Sequence, residues 1–240
     1  MREPRIRIEP GSDPRHARVC RLVGPSSINL VTTVSPDGRV NTAPFSFVMP
    51  CNYDPPMICF VCGEQKHFTE YGYDPRQSSE SPDTRKDTLV NILATGEFVI
   101  SPVDQGLRTA VVVADQPWPY GTSELEKAEL RTEPASRVRV PLIRDAMISL
   151  ECRLVQTVPV RGNHLVIGEV VMIHASPDAL TDGTPDVARI APIFEGVLDN
   201  QYFELGGRAP LDRRRPYDYD ALVDAAGHAA RTSATDSTRP

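Results

Sequence analysis

Apolar and polar positions alternate along the first strongly patterned stretch of the chain. Ile28, Leu30, Thr32 and Val34 interleave with polar or smaller neighbours, which predicts a half-buried strand. Ser35-Pro36-Asp37-Gly38 follows, with proline fixing φ and glycine free to take φ > 0, so the chain reverses there. Val40 to Met49 reads as the returning strand, broken at Pro44. A proline cannot donate to a ladder, which places position 44 at an edge, a bulge or a bend. Pro50 to Pro56 predicts another bend, and Met57 to Val61 is an apolar run of strand length. Strand, tight turn, interrupted strand, bend and buried strand in succession are what a small barrel is built from.

The period then changes. Leu89, Ile92 and Leu93 fall at helical spacing, Asp87 or Thr88 can cap the start, and Gly96 can end the helix. Glu97 to Val103 is a further strand and Leu107 to Ala114 a helix. Asp115 to Gly121 is a proline-rich aromatic loop, and Ser123 to Leu130 opens on a Ser123/Glu126 capping box. After Val138 to Ile143 come two long β-rich segments, Ala146 to Val160 and His164 to Ala175. Arg161-Gly162-Asn163 joins them, with Gly and Asn suited to positive φ. The stretch from Pro177 to Ala191 reads as loop, and Ile193 to Gly206 closes the patterned region. Residues 1–24 read as an N-terminal arm and 207–240 as a tail, disordered in its later part. The domain is therefore expected over 25–206.

The segment 63–85 is longer than an ordinary connection, so it is functional or disordered. His67, Phe68, Tyr71 and Tyr73 make its first half aromatic, which suits a lid over a ligand and equally a packed surface loop or a dimer contact.

Composition narrows the function classes. A net charge of -6 and a pI near 5.4 argue against nucleic-acid binding, which needs clustered Lys and Arg. No apolar run approaches the ~20 residues of a membrane span, and no charged-then-apolar leader appears, so the chain is expected in the cytoplasm. Five cysteines are odd in number; Cys59 and Cys62 form a C-x-x-C inside an apolar strand run, where buried thiols are the expected state. Five scattered histidines lack metal-ligand spacing, and neither a G-x-G-x-x-G fingerprint nor a hydrolase nucleophile motif is present.

The wording of particular motifs is more specific than their periodicity. V-T-T-x-x-x-D-G-R-V-N-x-A-P-F-S-F over Val31–Phe47, D-P-P at Asp54–Pro56, and K-D-T-L-x-N-I-x-x-T-G-E-F over Lys86–Phe98 stand in order. Leu150-Glu151-Cys152, Gly162-Asn163-His164 and Ile167-Gly168-Glu169-Val170 follow. Together they resemble the flavin reductase-like, FMN-binding split-barrel family, the flavoredoxin group, over roughly residues 25 to 205. The resemblance implies a mainly β fold, a Greek-key split barrel with a few short helices. It implies FMN as cofactor, NADH or NADPH as reductant, and a homodimer that completes the flavin site. The electrons would pass to a second flavin, oxygen or an organic substrate, by way of a partner monooxygenase or another acceptor. Two alternatives stay open: an FMN-binding electron carrier, and an FMN-dependent oxidase of a specialised pathway.

Flavin chemistry asks for donors near the ring carbonyls, a group near N5 and an anchor for the phosphate. The resemblance assigns the first two to Thr32, Thr33, Asn41 and the segment Ala43, Pro44, Phe45, Ser46 and Phe47. It assigns the phosphate to Arg85, Lys86, Asp87 and Thr88, where a helix start and two cations favour a dianion. By spacing alone, Arg85 and Lys86 read first as solvated cations; the resemblance is what favours the phosphate. His164 resembles the histidine of the G-D-H…G-x-V signature of short-chain flavin reductases, which lies near the nicotinamide, although Asn163 stands where that signature has its acid. Phe194-Glu195 stands where relatives often carry a basic residue.

Overall fold

Strand follows strand in the order the alternation predicts, and each is held by antiparallel pairing. The computed structural model describes residues 26–64, 85–116, 118, 122–195 and 202–204. The N-terminal arm, residues 65–84 of the long loop and the tail lie outside them. The chain divides into two compact units, Met1–Leu205 and Gly206–Pro240, and every described residue belongs to the first.

Strands β1 (Asn29–Val34), β2 (Val40–Phe45), β3 (Val48–Tyr53) and β4 (Pro56–Gly63) precede helix α1 (Asp87–Thr95) and strand β5 (Glu97–Pro102). Helices α2 (Arg108–Ala114) and α3 (Glu124–Lys127) come next, then the short strands β6 (Thr132–Glu133) and β7 (Leu142–Ile143). The long hairpin β8 (Ile148–Val160) and β9 (Asn163–Ala175) follows. Strands β10 (Leu180–Thr181) and β11 (Thr184–Pro185), helix α4 (Val187–Ile190), and strands β12 (Ile193–Glu195) and β13 (Tyr202–Glu204) end the described chain. Seven strands form one sheet in the order β2-β1-β5-β8-β9-β4-β3. The protein is mainly β, as its patterning requires.

Pro44 lies inside β2, which is an edge strand, so its missing N–H costs the ladder nothing. The bend expected over Pro50 to Pro56 is instead mostly strand. β3 runs through Pro50 to Tyr53 on the other edge of the sheet, with a bulge between Pro50 and Asn52. Pro50 can sit on this outer strand for the same reason that Pro44 sits in β2. The tip of the β8–β9 hairpin also differs in detail: Arg161 (φ 45°) and Gly162 (φ 80°) take the positive φ, and Asn163 is the first residue of β9.

Every residue of β1 is buried, so its alternation of residue type does not mark a wet face. Packed against it is α1, whose Leu89 and Ile92 join Val31, Phe45, Phe60 and Phe98 in one apolar cluster. Phe60 bridges the other two rings edge-on, at 5.0 Å from Phe45 and 5.6 Å from Phe98. A second cluster gathers Leu30, Val103, Leu107, Val111, Ile143 and Ile193.

Gly168 explains one motif residue physically. It pairs with Ile58 on one side and Leu154 on the other. A Cβ there would stand 2.3 Å from Phe98 Cζ and 3.2 Å from the Arg153 carbonyl. Phe98 is fully buried and has nowhere to retreat. Gly168→Ala is therefore expected to cost about 1–3 kcal/mol of stability through overpacking. Urea unfolding that returns the parent midpoint for this variant would show that the ring can move aside.

Candidate functional site

α1 begins where the chain returns from residues 65–84, and its start is unusual. Lys86 occupies the cap position in extended conformation, and no side chain caps the first turn. Asp87 and Thr88, expected as caps, are instead inside the first turn and buried. Backbone N–H groups at such a start have no intrahelical acceptor and, with the dipole, favour an anion. The Lys86 ammonium lies over the Phe45 ring, 5.3 Å from its centroid, which joins the helix start to the end of β2. Gly96 ends the helix in the left-handed conformation, its N–H donating to the Ile92 carbonyl.

The threonines expected near a ligand are fully buried and held by internal bonds. Thr32 Oγ1 is 3.1 Å from Thr42 Oγ1, and Asn91 Nδ2 donates to Thr33 Oγ1 at 3.0 Å. The Asn41 amide satisfies both its ends when its nitrogen donates to the Glu124 carboxylate, at 3.0 and 3.1 Å, and its oxygen accepts from Thr88 Oγ1 at 3.2 Å. These side chains tie β1 and β2 to each other and to α1 and α3. Ala43 packs against the core and Phe45 is part of it. Pro44 and Ser46 are half-buried and Phe47 is 49% exposed; the Phe47 carbonyl accepts from the Val61 N–H at 3.1 Å. Arg85 is exposed beside Lys86.

His164 sits on β9 directly opposite Cys62 of β4. Its Nε2 is 3.1 Å from Glu64 Oε1, and its Nδ1 is buried without a partner. The same Glu64 donates its N–H to the Gly162 carbonyl at the hairpin tip and accepts the Lys86 N–H, each at 3.0 Å. One residue therefore joins the hairpin, the imidazole and the start of α1. Glu64 was not legible as a site residue, because the pairing that brings it to His164 spans 100 positions. It sets a carboxylate against the imidazole, where Asn163 has none.

A cavity of about 460 Å³ opens on another flank of α1, between Arg39, Asn41, Asp87, Asn91, Ser123 and Glu126. It shares Asn41 and Asp87 with the candidate set but is not lined by Lys86, Phe45 or His164. The described residues contain no cluster of His, Cys, Asp and Glu that could hold a metal ion. Among them, no helix is long and apolar enough to cross a membrane.

The family model for the flavin reductase-like domain matches residues 24–188, more than half of the chain. The chain belongs to the flavin reductase-like family. Among relatives by sequence, an uncharacterised protein of Aquifex aeolicus is 32% identical over 197 residues, which cover 81% of this chain and 91% of that one. Among solved structures, nitrilotriacetate monooxygenase component B from Bacillus cereus superposes with a TM-score of 0.75 at 24% identity, over 88% of this chain and all of that one. The flavoredoxin of Methanosarcina acetivorans gives a TM-score of 0.67 at 17% identity, over 92% of this chain and all of that one. The likeness of fold extends across flavin reductase-like split barrels, and the mainly β split-barrel fold is the one the motifs predict.

Proposed function

We propose that this flavin reductase-like protein is an FMN-dependent oxidoreductase that takes hydride from NADH or NADPH. The observation that carries the reading is the position of Glu64, which holds the cation-flanked helix start and His164 at one end of the sheet. The electrons then pass to a second flavin, oxygen or an organic acceptor. A monooxygenase partner is favoured by the likeness to component B of nitrilotriacetate monooxygenase. A homodimer in the cytoplasm belongs to the same reading, as does a single domain over 25–206.

Bound FMN would accept the two electrons and pass them on. The protein's part is binding and orientation. Lys86, Arg85 and the first-turn N–H groups of α1 would hold the phosphate. Phe47, half exposed between β2 and β3, offers an apolar surface to a ring. Thr32, Thr33, Asn41 and Thr88 act from behind, fixing β1 and β2 against α1. Glu64 can accept from Nε2–H of the neutral imidazole, which leaves Nδ1 an acceptor. A buried acceptor without a donor is unfavourable by about 1–3 kcal/mol. The carboxamide N–H of a nicotinamide would relieve it.

Anaerobic titration tests the proposal. NADH or NADPH is expected to bleach the visible absorbance of FMN bound to the protein. His164→Ala should slow that bleaching by roughly 2- to 13-fold, the worth of one lost neutral hydrogen bond, and leave FMN affinity unchanged. No bleaching with either nucleotide would instead favour the electron-carrier reading.

A further inference from the structure

The bulge in β3 sets the Cys51 thiol diagonally across the β3–β4 ladder from that of Cys59. Met49 pairs with Cys59 and Asn52 with Met57, although Met49 and Asn52 are three residues apart and Cys59 and Met57 only two. Cys51 is the extra residue. It follows Met49 by two positions, which keeps it on the face of β4 that carries Cys59. Across that diagonal the Cys51 thiol is near enough to act on the Cys59 thiol. Cys51 is exposed, whereas Cys59 is 2% exposed.

We propose that Cys51 and Cys59 form a reversible oxidation site that closes to a disulfide under hydrogen peroxide. The C-x-x-C spacing points to Cys62 as the partner of Cys59, but three positions along a strand lead to the other face. Cys62 packs among Phe60, Leu89 and Phe98, and burial pushes its thiol up to about 12. Cys152 is fully buried, and burial raises its thiol further.

The chemistry balances in two steps. The exposed Cys51 sulfur attacks the peroxide O–O bond, giving a sulfenic acid and releasing one water. The Cys59 sulfur then attacks the sulfenic sulfur; the S–OH bond breaks, an S–S bond forms, and the Cys59 proton leaves with the hydroxide as a second water. Two thiols have been oxidised and one peroxide reduced. Burial first, and the neighbouring Cys51 second, raise the Cys59 thiol to about 11, so it enters the second step carrying that proton. Reduced flavin exposed to oxygen yields peroxide, so the proposed function would generate the oxidant on the same chain. The site itself does not depend on that reading.

The test adds hydrogen peroxide directly to the full chain, with Cys20→Ser as background, followed by alkylation and peptide mapping without reductant. The expected result is one intrachain link between Cys51 and Cys59, a free-thiol count lower by two, and full reversal by dithiothreitol. Cys51→Ser, at an exposed position, should abolish the link, while Cys62→Ser and Cys152→Ser should keep it. Free thiols at both positions, an oxidised Cys51 that never pairs, a link to another cysteine, or a disulfide between chains would each overturn the proposal.

Discussion

Replacing Lys86 by Ala is expected to weaken FMN binding by about 10- to 150-fold, the equivalent of one charge-assisted hydrogen bond of roughly 1.5–3 kcal/mol. Riboflavin, which lacks the phosphate, should bind the variant as it binds the parent. The contrast separates a phosphate contact from a general disturbance of α1. Thr88 is a poorer probe because it is buried and bonded to Asn41, so its loss would disturb the tie between β2 and the helix. The variant also forfeits the Lys86 contact with Phe45, worth about 0.5–1 kcal/mol at an accessible site, but that loss falls on the free and the bound protein alike and leaves affinity untouched. Equal weakening of FMN and riboflavin would move the anchor elsewhere, and an unchanged FMN affinity would remove Lys86 from the site.

The second large effect is structural. Glu151 is fully buried in β8, where its carboxylate accepts the N–H groups of Ser136, Arg137 and Val138 at 2.8, 2.6 and 2.9 Å. His174 Nε2 stands 2.5 Å from its other side. Burial pushes the carboxyl upward, but the bonds from Ser136, His174, Arg137 and Val138 together outweigh it and hold the group below its ordinary value. Glu151→Ala would leave three backbone donors without an acceptor. A loss of about 3–5 kcal/mol is expected, as for breaking a buried charged pair, or a fall in Tm of about 6–20 °C at this chain length. The pH dependence has a definite sign. A carboxyl depressed in the folded state contributes fully above its unfolded value, near 4.5, and that contribution drains away as the pH falls through the lower folded value. Glu151→Gln should therefore flatten the acid limb of the stability profile. An acid limb with the parent's slope would show that other carboxyls set it.

Much of this architecture can be read from residues near one another in sequence. The strand at Ile28–Val34, the Ser35–Gly38 reversal and the run to Gly96 each rest on local preferences and stand in the structure, although β1 is buried throughout and not half-buried. Pro50 read as a bend because proline is locally disruptive; only the strand order shows that β3 is an edge, where proline is harmless. The helix cap went to Lys86 and not to Asp87 or Thr88, whose side chains are drawn into the interior by tertiary contacts. The site was legible where motif residues are contiguous and illegible where partners are distant. Glu64 and Glu151 take their meaning from ladders and from a backbone loop that no local pattern reveals.

The pairing of β4 with β9 also bears on how the chain is made. Cys62 meets His164, about a hundred residues later. At 5–20 residues per second, a ribosome delivers β9 roughly 5–20 s after β4. Through that interval the edge of β4 that pairs with β9 lacks its neighbour in the sheet, while the β1–β2 and β3–β4 hairpins can already form. The imidazole of His164 and the carboxylate of Glu64 meet only when this seam closes. Growth temperature and chaperone supply, which act on a waiting strand edge, would then govern the yield of folded chain.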